Sequence, residues 1–219
     1  MEAVTTERTA LWRIGGALYA LVIVLGLSGE MVVRARVTPQ NIRAMETLWR
    51  VGIASEFLLL ACSVIVAVIV FVLLRPVNAD LALLAIFFNL VSIAVEAAAD
   101  LNLINALSPL GNPALSMHAH AQGFGVALIF FGFFCVIAGY LIYLSGYCPR
   151  AIGVLMQIAG FCYLANSFAL LLAPAVARRI FPLILVPAFI GESSFALWLL
   201  FGRASGARST WSNARDDHS

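Results

Sequence analysis

The amino-acid sequence predicts an all-α fold: a polytopic integral membrane protein built as a bundle of six transmembrane helices. Hydrophobic residues make up 63% of the 219 residues and charged residues only 11%, whereas about a quarter of a soluble domain is charged. Six apolar segments reach the roughly 20 residues that a helix needs to cross a bilayer. We expect a polar N-terminal segment (1–10), a transmembrane domain (11–202) and a disordered polar tail (203–219).

The charge and cysteine content exclude several classes of protein. A net charge of +2 is too small to indicate a nucleic-acid partner. The four cysteines form no C-x-x-C pair and three of them lie in apolar runs, so we expect neither a disulfide framework nor a zinc site. The first apolar run lacks a small-residue cleavage site, and we interpret it as a retained helix and not as a signal peptide.

The first predicted span (11–33) has an acidic residue near its end. Glu30 lies four residues before Arg34, and we expect the two side chains to pair at the membrane interface. A proline-containing break follows. After it, residues 40–50 are predicted to form a short amphipathic helix that lies on the membrane surface.

The second predicted span (49–74) contains one acidic residue well inside its apolar sequence. Leu59 and Ser63 continue the helical face of Glu56, because residues three to four apart are neighbours on a helix. We therefore expect Glu56 to point into the bundle and not towards lipid.

The third predicted span (81–107) carries four polar residues at steps of three, four and four, namely Asn89, Ser92, Glu96 and Asp100. On a helix this spacing places all four on one face. A charged side chain near the centre of a bilayer costs roughly 2.5–3.5 kcal/mol on insertion scales unless it faces protein or water. Other helices are therefore expected to enclose this face in a polar interior.

The fourth predicted span (118–144) has small residues at a regular spacing. Gly125, Gly132 and Gly139 are seven residues apart, with Cys135 on the same face. Small residues at this spacing let a second helix approach closely, which is how helices pack in membranes. We interpret this glycine stripe as structural.

The last two spans are predicted at 151–173 and 179–201. The fifth span contributes Asn166 to the polar interior. The sixth span carries Glu192, and two prolines before it are expected to loosen the first turns of the helix.

Six spans place both termini on the same side of the membrane. The arginines divide almost equally between the two sides, seven against six, so the positive-inside rule discriminates weakly. The short turns at 75–78 and 148–150 are typical of cytoplasmic loops. We therefore expect a multi-pass protein of the bacterial cytoplasmic (inner) membrane with both termini in the cytoplasm.

Three stretches resemble a known family: LRPVNADLALLAIFF (74–88), GFGVALIFFGFFCVIAGYLIYLSGYCPRAIGVL (123–155) and GESSFALWLL (191–200). Together and in this order they are similar to the bacterial membrane family known as domain of unknown function 4386. The similarity extends from about residue 12 to residue 202. The resemblance implies a six-helix integral membrane protein and brings no catalytic residue to carry over.

The candidate site is the set of polar residues inside the predicted bundle. These residues lie on four of the six spans: Glu56, Asn89, Ser92, Glu96, Asp100, Asn166 and Glu192. Protonatable carboxylates with little fixed positive charge suit a cation or a proton, so we favour a proton-linked or small-solute transport or binding role. The expected partners are the lipid bilayer and a small molecule or proton. We expect no cofactor, since the sequence has no flavin-, nucleotide- or phosphate-binding loop.

Alternative functions remain open. In a metal-dependent intramembrane hydrolase, His118 and His120 could supply ligands next to Glu96, Asp100 and Glu192. The H-x-H pattern is short and no H-E-x-x-H motif exists, so we assign no metal site and keep the two histidines as weak candidates. A lipid, quinone or haem binder and a structural or sensory membrane partner without chemistry are further alternatives.

Overall fold

The computed structural model describes residues 2–202, with side chains from residue 10 onward. Seven α-helices occur in this range: α1 (Glu2–Ser28), α2 (Glu46–Leu74), α3 (Ala79–Asn105), α4 (Pro113–Ser145), α5 (Arg150–Leu172), α6 (Pro174–Ile180) and α7 (Val186–Phe201). A π-helical segment (Gly29–Arg34) continues α1, and a 3-10 turn (Leu183–Leu185) precedes α7. The predicted tail (203–219) lies outside the described residues.

Six helical stretches are long and apolar enough to cross a membrane: Ala10–Arg34, Glu46–Leu74, Ala79–Asn105, Pro113–Ser145, Arg150–Leu172 and Leu183–Phe201. The predicted all-α fold is confirmed, and residues 2–202 contain no strand. The chain is a multi-pass membrane protein. Residues 35–45, 106–112 and 173–182 lie at one end of the bundle, here called the loop end, and the turns at 75–78 and 146–149 lie at the turn end.

The spanning helices form a closed ring in chain order. Each of α1 to α5 packs against the next, α5 packs against α7, and α7 returns to α1. The short α6 lies outside this ring and contacts α5. A ring of six helices has an interior, and the polar residues of the spans are distributed around it.

The fourth span begins earlier than the sequence indicated. α4 starts at Pro113, five residues before the predicted start at His118. The Asn112 side chain caps this helix by accepting a hydrogen bond from the Leu115 amide at 3.1 Å. Proline is favourable at the first helical position, because an N–H there would have no partner within the helix. His118 therefore lies inside the helix and does not cap it.

The predicted surface helix at 40–50 does not form. Residues 39–45 are in turns, and α2 begins at Glu46. Val37 and Ile42 are buried in a cluster with Trp49, whose indole N–H donates to the Leu103 carbonyl at 2.9 Å. The segment fails to become a surface helix because its apolar side chains are covered by the ends of α2 and α3.

The sixth span is more strongly interrupted than expected. A short helix, α6, ends at Ile180, and regular α-helix resumes only at Val186. Pro182 and Pro187 lie at this interruption, and proline lacks the N–H that a helix interior requires. The result is a discontinuous helix at the loop end of the bundle.

The glycine stripe of α4 faces α5. A Cβ atom added at Gly132 would lie 2.9 Å from the Leu164 side chain and 3.0 Å from the Gly160 carbonyl oxygen. At Gly139 an added Cβ would lie 2.6 Å from the Gly153 carbonyl oxygen. The two backbones therefore meet without intervening side chains, in agreement with the packing role predicted for the stripe.

Aromatic side chains fill the turn end of the ring. The ring centroids of Trp12, Tyr147 and Trp198 are 6.0–6.2 Å apart, and the Tyr147 hydroxyl donates to the Leu73 carbonyl at 2.7 Å. Burial also raises the pKa of the neighbouring Cys148 thiol to about 12. The aromatic cluster therefore occupies the interior of the ring at this end.

Replacement of Gly132 by leucine tests the contact between α4 and α5. The added side chain would force the helices apart, and overpacking of this kind typically costs 1–3 kcal/mol. We expect Gly132→Leu to lower the thermal unfolding midpoint in detergent by about 5 °C. Ala121→Leu is the matched control, because Ala121 is exposed on the same helix. An unchanged midpoint for Gly132→Leu would contradict the observed packing.

Candidate functional site: an acidic cavity inside the helix ring

The interior of the ring contains a cavity of about 300 Å³. Its polar lining comes from α1 and the π-helical segment, α2, α3, α5 and α7, and comprises Tyr19, Glu30, Arg34, Glu56, Ser63, Asn89, Ser92, Glu96, Tyr163 and Glu192. The lining of α1 runs from its middle towards the loop end, as does that of α3. The cavity therefore extends from about mid-membrane towards the loop end.

Five of the seven polar residues selected from the sequence line this cavity: Glu56, Asn89, Ser92, Glu96 and Glu192. Carboxyl groups from three helices thus meet around one space, and each of these helices was expected to direct its acid inward. Asp100 is buried one turn beyond Glu96, outside the lining. Asn166 is buried on α5 but does not line the cavity either.

Glu192 is held by two tyrosines from different helices. The Tyr19 hydroxyl of α1 donates to Oε2 at 3.0 Å, and the Tyr163 hydroxyl of α5 donates to Oε1. Phe195, one turn further along α7, meets the Tyr19 ring edge-on at 6.1 Å. Both oxygens of Glu192 therefore have donors without any ion pair, and its position in the cavity wall is fixed.

Arg34 bridges two acidic residues at the edge of the cavity. Its guanidinium lies 2.8 Å from Glu30, which confirms the expected pair, and 2.9 Å from Glu56 on α2, which the sequence did not indicate. Gly29 makes this approach possible, because a Cβ there would lie 2.5 Å from a Glu56 carboxylate oxygen. The π-helical turn that carries these residues is a backbone form often found at functional sites.

Glu96 differs from the other acids of the cavity. Its side chain is partly accessible within the lining, and among the described residues it has no ion pair or hydrogen bond. Among the described residues that line the cavity, Arg34 is the one with a cationic side chain. Its guanidinium is already shared by Glu30 and Glu56. Glu96 therefore presents a carboxyl group to the cavity with no compensating charge.

The part of the wall that α4 contributes is largely aromatic. Phe124, Phe131 and Phe134 of α4 line the cavity together with Tyr163. The Phe131 ring lies 5.4 Å from Tyr163 and 5.5 Å from Phe134, measured between centroids. Aromatic faces attract cations, so the wall and the acids favour the same sign of charge.

The cavity reaches the protein surface near the loop end. Leu27, Glu30, Phe181 and Phe189 line it and are also exposed. These residues belong to the end of the first span and to the interrupted sixth span. The opening therefore lies between these two parts of the ring, next to the discontinuous helix.

The two histidines that the sequence singled out are in different environments. His118 is exposed, whereas His120 is buried and its Nδ1 lies 3.2 Å from Oδ1 of Asp100. Among the described residues no three His, Cys, Asp or Glu side chains are grouped so that they could hold a metal ion. The geometry thus separates His118 from the acids proposed as its co-ligands.

Five polar lining residues were not among those selected from the sequence, namely Tyr19, Glu30, Arg34, Ser63 and Tyr163. Tyr19, Tyr163 and Arg34 each contact an acid on another helix. The sequence did contain a signal for the two tyrosines, since each lies in the middle of a span and away from the interfaces where tyrosine is enriched. The second contact of Arg34 had no signal, because it depends on the π-helical turn.

Comparisons with known proteins show the family of this chain and assign no activity to it. A protein of Archaeoglobus fulgidus described as uncharacterized is 30% identical over 154 residues, which cover 68% of this chain and 82% of that protein. No solved structure gives a significant match. The family model described as "Domain of unknown function (DUF4386)" matches residues 14–202. The chain therefore belongs to the DUF4386 family.

Proposed function

We propose that this protein binds a small organic cation in the acidic cavity and exchanges it for a proton, as a transporter or solute-binding protein of the membrane. The observation that carries the proposal is the environment of Glu96. Within residues 10–202 this carboxyl group faces the cavity without a partner, and an intramembrane carboxylate requires a counter-charge, a hydrogen-bond donor or a proton.

The charge balance of the lining supports a cationic ligand. Glu30, Glu56, Glu96 and Glu192 line the cavity, against the single guanidinium of Arg34. Arg34 satisfies two of these acids and the tyrosines satisfy a third. A bound cation would be the missing partner of the fourth acid, Glu96.

The size and the walls of the cavity indicate the class of cation. A volume of about 300 Å³ is at the lower end of the range typical of small-molecule sites, roughly 300–1,000 Å³. Phe124, Phe131 and Phe134 offer aromatic surface next to the acid. An ammonium group carrying a compact apolar or aromatic body fits both features better than a strongly hydrated inorganic ion.

Two features favour transport over static binding. The cavity is accessible near the loop end, while the cluster of Trp12, Tyr147 and Trp198 fills the turn end. Access from one side only is what one state of an alternating-access protein requires. The discontinuous sixth span borders the opening, and broken helices are common at transporter binding sites.

For the location, we propose the cytoplasmic membrane of a bacterial cell with both termini in the cytoplasm. The six spans place the termini on one side. The short turns at 75–78 and 146–149 lie on that same side. Arg75 belongs to the first turn and Arg150 directly follows the second, in keeping with the positive-inside rule.

Benzyltrimethylammonium is a suitable probe, since it combines a quaternary ammonium with one aromatic ring. We expect it to bind the purified protein in lipid nanodiscs by isothermal titration calorimetry, and Glu96→Gln to weaken binding at least about tenfold, because a contact with a charged group is lost. Glu30→Gln is the matched control: it removes a half-exposed acid from the same lining, and we expect a small change. Benzylsulfonate, an anion of similar shape, should not bind. Equal binding of both probes, or full affinity in Glu96→Gln, would reject the proposal.

The affinity for the probe should also depend on pH. A proton and the cation compete for the same carboxylate, so binding weakens as the pH falls, by about tenfold per unit where one proton is exchanged. In Glu96→Gln the residual binding should lose this dependence. Dissociation constants measured over a series of pH values test both statements, and a constant affinity in the wild type would contradict proton exchange.

A further inference from the structure

Asp100 and His120 form a second buried ionisable group outside the cavity lining. Asp100 is 1% exposed and His120 4% exposed, and the imidazole Nδ1 lies 3.2 Å from the carboxylate Oδ1. Both Asp100 carboxylate oxygens and Nδ1 of His120 are buried without a hydrogen-bond partner among the described residues. A buried acid and base with unused lone pairs are costly to keep for packing alone.

The pair lies one helical turn from the cavity on two helices at once. On α3, Asp100 follows Glu96 by four residues, so their side chains share a face. On α4, His120 precedes Phe124 by four residues, and the two rings stack at 6.3 Å with an interplanar angle of 18°. Asp100 is five residues from the end of α3 at the loop end. The pair is therefore placed between the loop end and Glu96.

Several charged groups surround the pair. Glu96 lies on the same helix as Asp100, and Glu56 on α2 lines the same cavity as Glu96. Arg34 stands behind Glu56, to which it is paired. His118 on α4 is exposed towards the loop end. The pair thus connects the acidic cluster of the cavity with the surface at which α4 begins.

We infer that Asp100 and His120 form the proton relay between the loop end and Glu96. The inference rests on the proposed function, because the relay supplies and removes the proton that the cation displaces. A hydronium ion at the loop end gives a proton to Nε2 of His120, so that an N–H bond forms as its own O–H bond breaks and a water is left. The Nδ1–H bond then breaks as an O–H bond forms at the Asp100 carboxylate, and the O–H bond at Asp100 breaks as one forms at Glu96. The reverse sequence releases the proton when a cation occupies Glu96 and returns the imidazole to its starting tautomer. Each step breaks one bond to hydrogen and forms one, and the net change is one proton moved between the loop end and Glu96.

A pH jump on the ligand-free protein in nanodiscs tests the relay directly. The carboxylic-acid C=O infrared band that is missing in Glu96→Gln reports the protonation of Glu96. We expect the rate at which this band appears after the jump to be at least about ten times lower in Asp100→Asn and in His120→Gln than in the wild type. His118→Gln, on the same helix but exposed, is the matched control and should leave the rate unchanged.

Chemical rescue separates proton transfer from a structural role. In His120→Ala, added imidazole should restore the rate at which the Glu96 band appears, whereas pyrrole, a similar ring without a basic nitrogen, should not. Rates equal to the wild type in both relay variants, or a Glu96 band that does not change over the stable pH range, would overturn the inference. So would equal rescue by the two rings.

The ligand-free design keeps the two proposals distinguishable. If benzyltrimethylammonium fails to bind but the relay variants slow protonation of Glu96, the cation proposal fails and the relay stands. If the cation binds with the expected dependence on Glu96 but the relay variants protonate at the wild-type rate, only the relay fails.

Discussion

The cost of placing ionisable groups in hydrocarbon constrains the whole structure, because a carboxyl group inside the membrane must face protein or water, and three of the acids here meet a partner on another helix. Glu56 on α2 is paired with Arg34 from the end of the first span. Glu192 on α7 accepts hydrogen bonds from α1 and α5. Asp100 on α3 meets His120 on α4. These contacts of the acids therefore also join neighbouring helices, and together they link four of the six helix pairs of the ring.

The shape of the cavity follows from where small residues let the backbones approach. Along the contact between α4 and α5, glycines on both helices bring the carbonyl groups of one against the other, as at Gly139 and Gly153. Near the turn end, Gly16 of α1 lies directly against the α7 backbone at Leu200. Dispersion forces replace the hydrophobic effect at such contacts. Space for a ligand is left where side chains and not glycines separate the helices, and this is the acid-lined region towards the loop end.

The sequence was sufficient for the features that depend on periodicity and composition. The six spans, the polar face of the third span and the packing face of the glycine stripe follow from helical spacing and the cost of lipid exposure. The geometry at the loop end could not be predicted in this way, because it depends on tertiary contacts and on a cap. Ile42 is buried against neighbouring helices, and the Asn112 cap starts α4 early. The partners of the acids were also missed. Tyr19 is distant from Glu192 in the chain, and Arg34 reaches Glu56 only because a π-helical turn changes the direction of its side chain.

The face of the third span shows why the cavity is best explained as a binding site. The Ser92 hydroxyl donates to the Ala127 carbonyl at 2.9 Å, so its hydrogen bond serves the contact with α4. Asp100 has His120 as its neighbour. Glu96, between them in sequence, is the acid of this face that the described protein leaves without a partner. A purely structural polar core would satisfy its members internally, since a partly satisfied network is less stable than an apolar one. An acid that remains open towards the cavity instead fits the exchangeable partner that we propose, since a proton and a small cation are species that a carboxylate can exchange.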